Sequence, residues 1–268
     1  MTNIRVPVAL TIAGSDPSGG AGLQADLKTF HQHEVYGTSV VTLLTVQNTR
    51  SVFALKLLHP KFVSAQLDAV LGDLPPTAAK TGAIGSGKLI QVIADYAKHF
   101  SFPLVVDPVM ISKHGSSLID DAAIEVLIRE LLPHAYLVTP NRFEATRLTG
   151  LEIDNESQME AAAACLASLG PRNVLIKGLH TGNECIDLLW TGGQSLWLRG
   201  EWIETQSTHG SGCVYSAAIT ASLAKGVDLP MATQNAKEFI SCAIRTAPRL
   251  GQGRGPVNFF SPSNLCRD

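Results

Sequence analysis

The sequence has little net charge, few aromatics, no paired cysteines and no clean membrane-length apolar run, and each shortage removes a class of function. Lys and Arg number 21 against 23 Asp and Glu, for a formal charge of −2. A chain so balanced carries no electrostatic footprint for nucleic acid or for an anionic membrane surface. The five cysteines, at 165, 185, 213, 242 and 266, are odd in number, widely scattered and without a CxxC pair. That pattern argues against a disulfide framework or a structural zinc site and fits a reducing, cytoplasmic setting. The apolar stretch from Val6 to Gly14 follows one early Arg5 and is too short for a signal peptide, so it reads as a first buried strand. The longest uncharged stretch, Thr205 to Ala224, has the length of a membrane span but holds His209, two glycines and many hydroxyls. It reads as a loop running into a helix. What remains is one domain, 1–268, of a size that closes around a single core, with a small molecule as its expected partner.

Short runs of Val, Ile and Leu alternate with longer stretches of helical period. Val8 to Ala13, Ser39 to Val46, Leu104 to Val109, Tyr136 to Thr139 and Val174 to Lys177 read as buried parallel strands. Asp120 to Leu132 places Ile124, Leu127, Ile128, Leu131 and Leu132 on one face behind two acids and ahead of Pro133, the pattern of an amphipathic helix. From Glu184 to Ile203, alternating apolar residues flank paired glycines and predict an antiparallel hairpin at a sheet edge. The whole predicts a doubly wound α/β sheet with ligands at the carboxyl ends of its strands.

Two nucleotide fingerprints occur and fail in context. Gly20, Gly22 and Ala25 satisfy GxGxxA, but the preceding strand ends near Gly14 and no acidic ribose ligand closes the second strand at Gln47. Gly82, Gly87 and Lys88 satisfy GxxxxGK, but Leu89 stands where a P-loop needs Ser or Thr for magnesium; Ser86 there reads as a helix cap. Other features carry more. Gly14 to Gly22, GSDPSGGAG, leaves a strand and enters a helix bearing Asp26 and Lys28, letting backbone approach a ligand closely, or serving only as a tight connection. Thr208 to Cys213, THGSGC, sets glycines before a helix, whose unpaired amides suit a transferred phosphoryl group. The same field favours a Cys213 thiolate, against the plainer reading of a small buried cysteine. Asp107 and Glu144 fall at the sheet's carboxyl edge, where they could hold magnesium or serve as turn and first-turn acids. Lys177 adds a cation at that edge, and Gln47 and Asn48 offer paired donors and acceptors to a heteroaromatic ring.

The segments VALTIAGSDPSGGAGLQADLKTF, QNTRSV, VVDPVM, TPNRFEA, LIKG and THGSGC, in this order, resemble the hydroxymethylpyrimidine kinases of thiamin synthesis, a branch of the ribokinase-like superfamily. The resemblance covers nearly the whole chain. It implies a ribokinase-like three-layer α/β/α sandwich without a separate lid, a homodimer, and ATP-dependent phosphorylation of 4-amino-5-hydroxymethyl-2-methylpyrimidine and then of its monophosphate. Carried over by motif, Gly14, Asp26 and Gln47 would contact the aminopyrimidine, with Val109 and Lys237 nearby. Asp107 and Glu144 would organise Mg2+, and Asn141, Lys177 and Thr208 would lie along ATP. Gly210, Ser211 and Gly212 would supply the anion hole with Lys177, and Cys213 would be the candidate base. Adenine is expected against the segment after Lys177 and the carboxyl-terminal helices.

Three departures from the family pattern stand out. Ser211 replaces Thr and keeps a hydroxyl; Ala83 replaces Met and leaves room beside the ring; Leu179 replaces Gly in a position expected to stiffen a loop over the nucleotide. The room at Ala83 keeps a pyridoxal kinase as an alternative substrate reading, and a noncatalytic pyrimidine-binding protein is a further one.

Overall fold

The computed structural model describes residues 6–111 and 118–261. Nine strands form one sheet in the order β3-β2-β1-β4-β5-β6-β7-β8-β9. At its centre lie β1 (Val8–Ser15), β4 (Ala78–Thr81), β5 (Leu104–Val106), β6 (Leu137–Val138) and β7 (Asn173–Thr181), flanked by β2 (Tyr36–Gln47). These six run parallel, so their carboxyl ends share one edge. The expected hairpin is present as β8 (Glu184–Thr191) and β9 (Gln194–Glu201), turning through Gly192 and Gly193. Both glycines have positive φ, as a turn matching the strand twist requires. The opposite edge is antiparallel as well, because β3 (Val52–Leu57) folds back on β2.

Alternation along the strands divides two cores. Ala79 faces a layer of α2 (Pro60–Asp73), α3 (Gly87–Ala97), α4 (Asp121–Val126), α5 (Arg142–Thr149) and α6 (Glu156–Ser168). Ala78 faces α1 (Gly22–Gln32), α7 (Ser211–Ala224) and α8 (Leu229–Arg245). The three-layer expectation therefore holds. In α7 every residue from Val214 to Ala224 is buried, and a helix apolar on all sides must be a core helix.

Several elements differ from the sequence reading. β3 and β4 were not expected; β4 reads Ala-Ala-Lys-Thr, with little intrinsic strand preference, and is a strand because β1 and β5 pair with it on both sides. The helix over Asp120 to Leu132 lasts only to Val126, opened by the Asp120 carboxylate accepting from the Ala123 amide at 2.8 Å. It then widens into a π turn over Leu127–Leu131 and tightens into a 3-10 turn over Leu132–His134. Pro133 lacks an amide and its ring crowds the carbonyl four residues back, which ends regular helix before it. β7 continues past Lys177 through an irregularity at Gly178, and Leu179 is fully buried opposite Ile186, packing into the core rather than over a ligand. Ser86 caps α3 as expected. Cys165, Cys185 and Cys213 carry free thiols and Cys242 is disulfide-bonded, a crosslink the sequence reading did not expect; Cys266 lies outside the described residues.

One charge pair lies wholly inside. Lys80 Nζ donates to Asp26 Oδ1 at 2.7 Å, and Thr11 Oγ1 donates to Asp26 Oδ2 at 2.6 Å, with both charged side chains at 0 % exposure. Removing one partner strands the other charge in the core, a loss of about 3–5 kcal/mol. Lys80→Met should therefore lower the urea midpoint strongly, and adding Asp26→Asn should recover most of the loss; a Lys80→Met protein as stable as the parent would contradict this account.

Candidate active site

The strand order lays out the carboxyl edge as a line of side chains. A cleft of about 510 Å³ follows it, lined by Leu43, Thr45 and Gln47 of β2, Gly14 near the end of β1, Ala83 after β4, Asp107 and Val109 after β5, Asn141 and Glu144 after β6, Lys177 of β7, and Cys185 and Asp187 of β8. Thr208 through Cys213 close it from the opposite layer.

Two glycine loops meet over its centre. Gly210 has φ +74°, and a Cβ there would overlap the Gly20 carbonyl oxygen, so only glycine permits this approach. Gly210 is also the cap of α7, and the amides of Gly212 and Cys213 in its first turn find no acceptor among the described residues. Such amides, at the positive end of a helix, are a ready anion site. A Cβ on Gly212 would stand 3.7 Å from Lys177 Nζ and 4.0 Å from Asp107 Oδ2, so the anion site, the cation and the carboxylate share one spot. Lys177 Nζ lies 3.2 Å from Asp107 Oδ1, and Ser216 Oγ donates to Asp107 Oδ2 at 3.1 Å.

Asn141 and Glu144 form a capping box at the start of α5: the Asn141 side chain accepts from the Glu144 amide and Glu144 Oε2 accepts from the Asn141 amide, each at 2.9 Å. Burial, and then the Asp107 carboxylate, push the Glu144 carboxyl up to about 7.

Cys213 corrects an expectation. Burial outweighs the nearby Lys80 charge and pushes its thiol up to about 12, so in this state the group is a neutral thiol rather than a ready thiolate.

The structure brings Gly14, Gln47, Ala83 and Val109 together at one end of the cleft, Asp107, Glu144, Lys177 and the Gly210 to Cys213 loop at its middle, and Asn141 and Thr208 along its wall. Two residues do not meet the ring end: Asp26 is outside the lining, and Lys237 lines the cleft at its other end. Asp26 is buried beneath the cleft, both of its oxygens engaged by Lys80 and Thr11. Lys237 donates to Asp187 Oδ2 at 2.8 Å and to the Cys185 carbonyl at 3.0 Å. That places it with β8, five places from β1 in the sheet and so roughly 24 Å away at ordinary strand spacing, beyond reach of the ring end. The sequence reading passed over Asp16 and His209, both lining the cleft and joined at 2.7 Å. Their signal was present: each sits inside a glycine run that already stood out. At the far end Trp202, stacked on His180 with 3.9 Å between ring centroids, joins Tyr215, Ile240 and Ile244 in an apolar lining.

The family model for phosphomethylpyrimidine kinase matches residues 16–258. The chain belongs to that family. It is 48 % identical over 261 residues to the hydroxymethylpyrimidine/phosphomethylpyrimidine kinase of Synechococcus elongatus, covering 97 % of this chain and 99 % of that one. Among solved structures, a phosphomethylpyrimidine kinase from Clostridium difficile superposes with a TM-score of 0.78 at 42 % identity, over 88 % of this chain and 98 % of that one. A Bacillus subtilis pyridoxal kinase in complex with ADP superposes with a TM-score of 0.88 at 36 % identity, over 96 % of this chain and 98 % of that one.

A neutral thiol should be a poor nucleophile. Iodoacetamide labelling followed by peptide mass spectrometry at pH 8 should therefore modify Cys213 far more slowly than a cysteine of ordinary acidity, with the rate still rising above pH 10. A labelling rate that levels off near pH 7 would show a thiolate and restore the earlier expectation.

Proposed function

We propose that this chain transfers the γ-phosphoryl group of ATP to the hydroxymethyl group of 4-amino-5-hydroxymethyl-2-methylpyrimidine, and then phosphorylates the resulting monophosphate. The observation that carries this reading is Gly212, whose free amide at the start of α7 is flanked by Lys177 and Asp107 in a cleft whose lining includes Gly14, Gln47, Ala83 and Val109 as well as Trp202, Ile240 and Ile244. The ring binds at the end formed by Gly14, Gln47, Ala83 and Val109, the nucleotide base at the end near Trp202, and the phosphates between them. Lys177 and the Gly212 and Cys213 amides stabilise charge on the transferred group, and Asn141 and Thr208 border the nucleotide. Such transfers depend more on positioning and electrostatics than on base strength, which suits a neutral Cys213.

Asp107 and Glu144 fit a magnesium ion. Both carboxylates are buried and line the same cleft, and after burial itself the Asp107 charge is what raises the proton affinity of Glu144, a repulsion that a cation relieves. Among the described residues no cluster of three or more ligating side chains exists, so waters and phosphates would complete the coordination. Bound there, magnesium would neutralise phosphate charge. We further propose a cytoplasmic homodimer; the exposed Phe53, Leu55 and Leu57 on edge strand β3 support pairing with a second copy. Among the described residues no helix is long and apolar enough to cross a membrane.

Pyridoxal is the second reading, favoured by the small side chain of Ala83 in the cleft lining. ADP release with magnesium ATP should be fast with the hydroxymethylpyrimidine and its monophosphate and slower with pyridoxal; turnover of pyridoxal alone would reassign the substrate, and silence with all three would leave a binding protein. Lys177→Ala should lower kcat by about 10²- to 10³-fold, the usual effect of removing one group that stabilises developing charge. Cys213→Ala should cost less than about 10²-fold, the low end of general-base assistance; a loss of about 10²- to 10⁴-fold would make Cys213 the base.

A further inference from the structure

Lys177 and Asp187 share one face of the sheet. Ile176 of β7 and Ile186 and Leu188 of β8 belong to the core under α2 to α6, so Lys177 and Asp187, each one residue away, face α7 and α8. Between them the two strands lose register. Ile176 pairs with Leu188 and Leu179 with Ile186, so Lys177 and Gly178 together stand opposite Asp187 alone. This is a β-bulge, the device by which a strand re-aims a side chain beside a site. Gly178 has φ +82°, a conformation that residues with a Cβ take only at a cost.

A bulge leaves its extra residue without a ladder partner. Here the Asp187 side chain supplies the acceptor, Oδ1 receiving the Gly178 amide at 2.8 Å. On the other side, the amide of Lys177 itself donates to the Pro140 carbonyl at 2.9 Å. Both peptides that flank the Lys177 Cα are thus fixed, and with them the direction in which its side chain leaves the strand toward Asp107. Asp187 is in turn held from two helices: Oδ2 accepts from Tyr215 Oη of α7 at 3.1 Å and from Lys237 Nζ of α8 at 2.8 Å. Lys237 gives a second hydrogen to the Cys185 carbonyl at 3.0 Å, and a Cβ on Gly200 would come 3.2 Å from its Cε, so that glycine leaves room for the lysine stem. Asp187 and Lys237 are both buried, and charges so placed need each other.

We propose that Asp187 is a positioning residue for Lys177, holding the β7 bulge in the one shape that aims the Lys177 ammonium at the anion site. Because the same carboxylate also takes the Tyr215 hydroxyl, the bulge that carries the cation and the helix that carries the free amides share one anchor before ATP arrives. Lys237 is the counter-charge that lets this anchor be buried. The inference rests on the phosphoryl-transfer reading and adds to it the residues that keep the cation in register with the α7 amides.

The test compares Asp187→Asn with Asp187→Leu on the full chain, each combined with Lys237→Met so that no buried charge is stranded. Asn and Leu branch alike and differ in offering the Gly178 amide an oxygen or a methyl group. A misplacement of about 1 Å can cost on the order of 10²-fold in rate, so kcat for ADP release should be about 10- to 10²-fold lower with Leu than with Asn, while the ADP dissociation constant from calorimetry differs by less than about threefold. In a Lys177→Ala background the same exchange should change kcat by less than about twofold, since the group being positioned is gone. The comparison is read with whichever acceptor the parent phosphorylates. Equal kcat for Asn and Leu, or a Leu penalty undiminished without Lys177, would overturn the positioning role and leave the proposed function intact. If the Leu variant fails to fold, amide exchange in the parent, followed by NMR, reads the anchor directly. Gly178 is exposed, yet its amide should exchange at least about 10²-fold more slowly than an unprotected glycine; exchange at the unprotected rate would overturn the anchor. A parent that releases ADP with neither pyrimidine nor with pyridoxal would overturn the proposed function and the inference together.

Discussion

The structure depends on the contact between two backbones, Gly20 and Gly210, at a distance no side chain permits. That contact draws the amino end of α1 against the amino end of α7, the helix with no solvent face. Because α7 is packed on every side, its first turn cannot shift to suit a ligand, and its free amides are held in advance where phosphoryl charge would develop. The same contact carries the loop of Asp16 onto the loop of His209, joining the wall of the ring pocket to the anion site. A scaffold that holds its donors before the substrate arrives loses little to reorganisation during transfer.

Burial decides the electrostatics at each centre, with different results according to the partners present. Lys80 and Asp26 are each other's counter-charge at zero exposure and Thr11 fills the second carboxylate oxygen, though burial still raises the Asp26 carboxyl. Glu144 lacks so direct a partner and is pushed toward protonation. Cys213 sits at a helix start that favours the thiolate, yet desolvation is the larger effect and the thiol stays neutral. A helix dipole acts with about half a charge over one turn, and here it is outweighed.

Much of this was legible in the residues. Runs of β-branched residues marked the long central strands, paired glycines marked the β8–β9 turn, and the glycine loops marked the cleft, because each signal is local. β4 was not legible, since Ala-Ala-Lys-Thr is made a strand by its two neighbours rather than by its own preference. The early end of α4 depended on Pro133 acting across a turn. Asp26 and Lys237 were placed by the family motif rather than by any local signal, and here each charge is engaged by another part of the chain, Lys80 and Asp187. Asp16 and His209 show the converse, since 193 residues separate a pair that touches.

The account's central claim is that phosphoryl charge is received at the start of α7 between the ring pocket and Lys177. The most direct measurement is a crystal structure with magnesium, ADP, aluminium fluoride and the hydroxymethylpyrimidine. The account predicts the planar fluoride on the Gly212 and Cys213 amides, with Lys177 Nζ in contact and the ring against Gln47. A fluoride bound away from those amides, with the nucleotide seated elsewhere along the sheet edge, would contradict it.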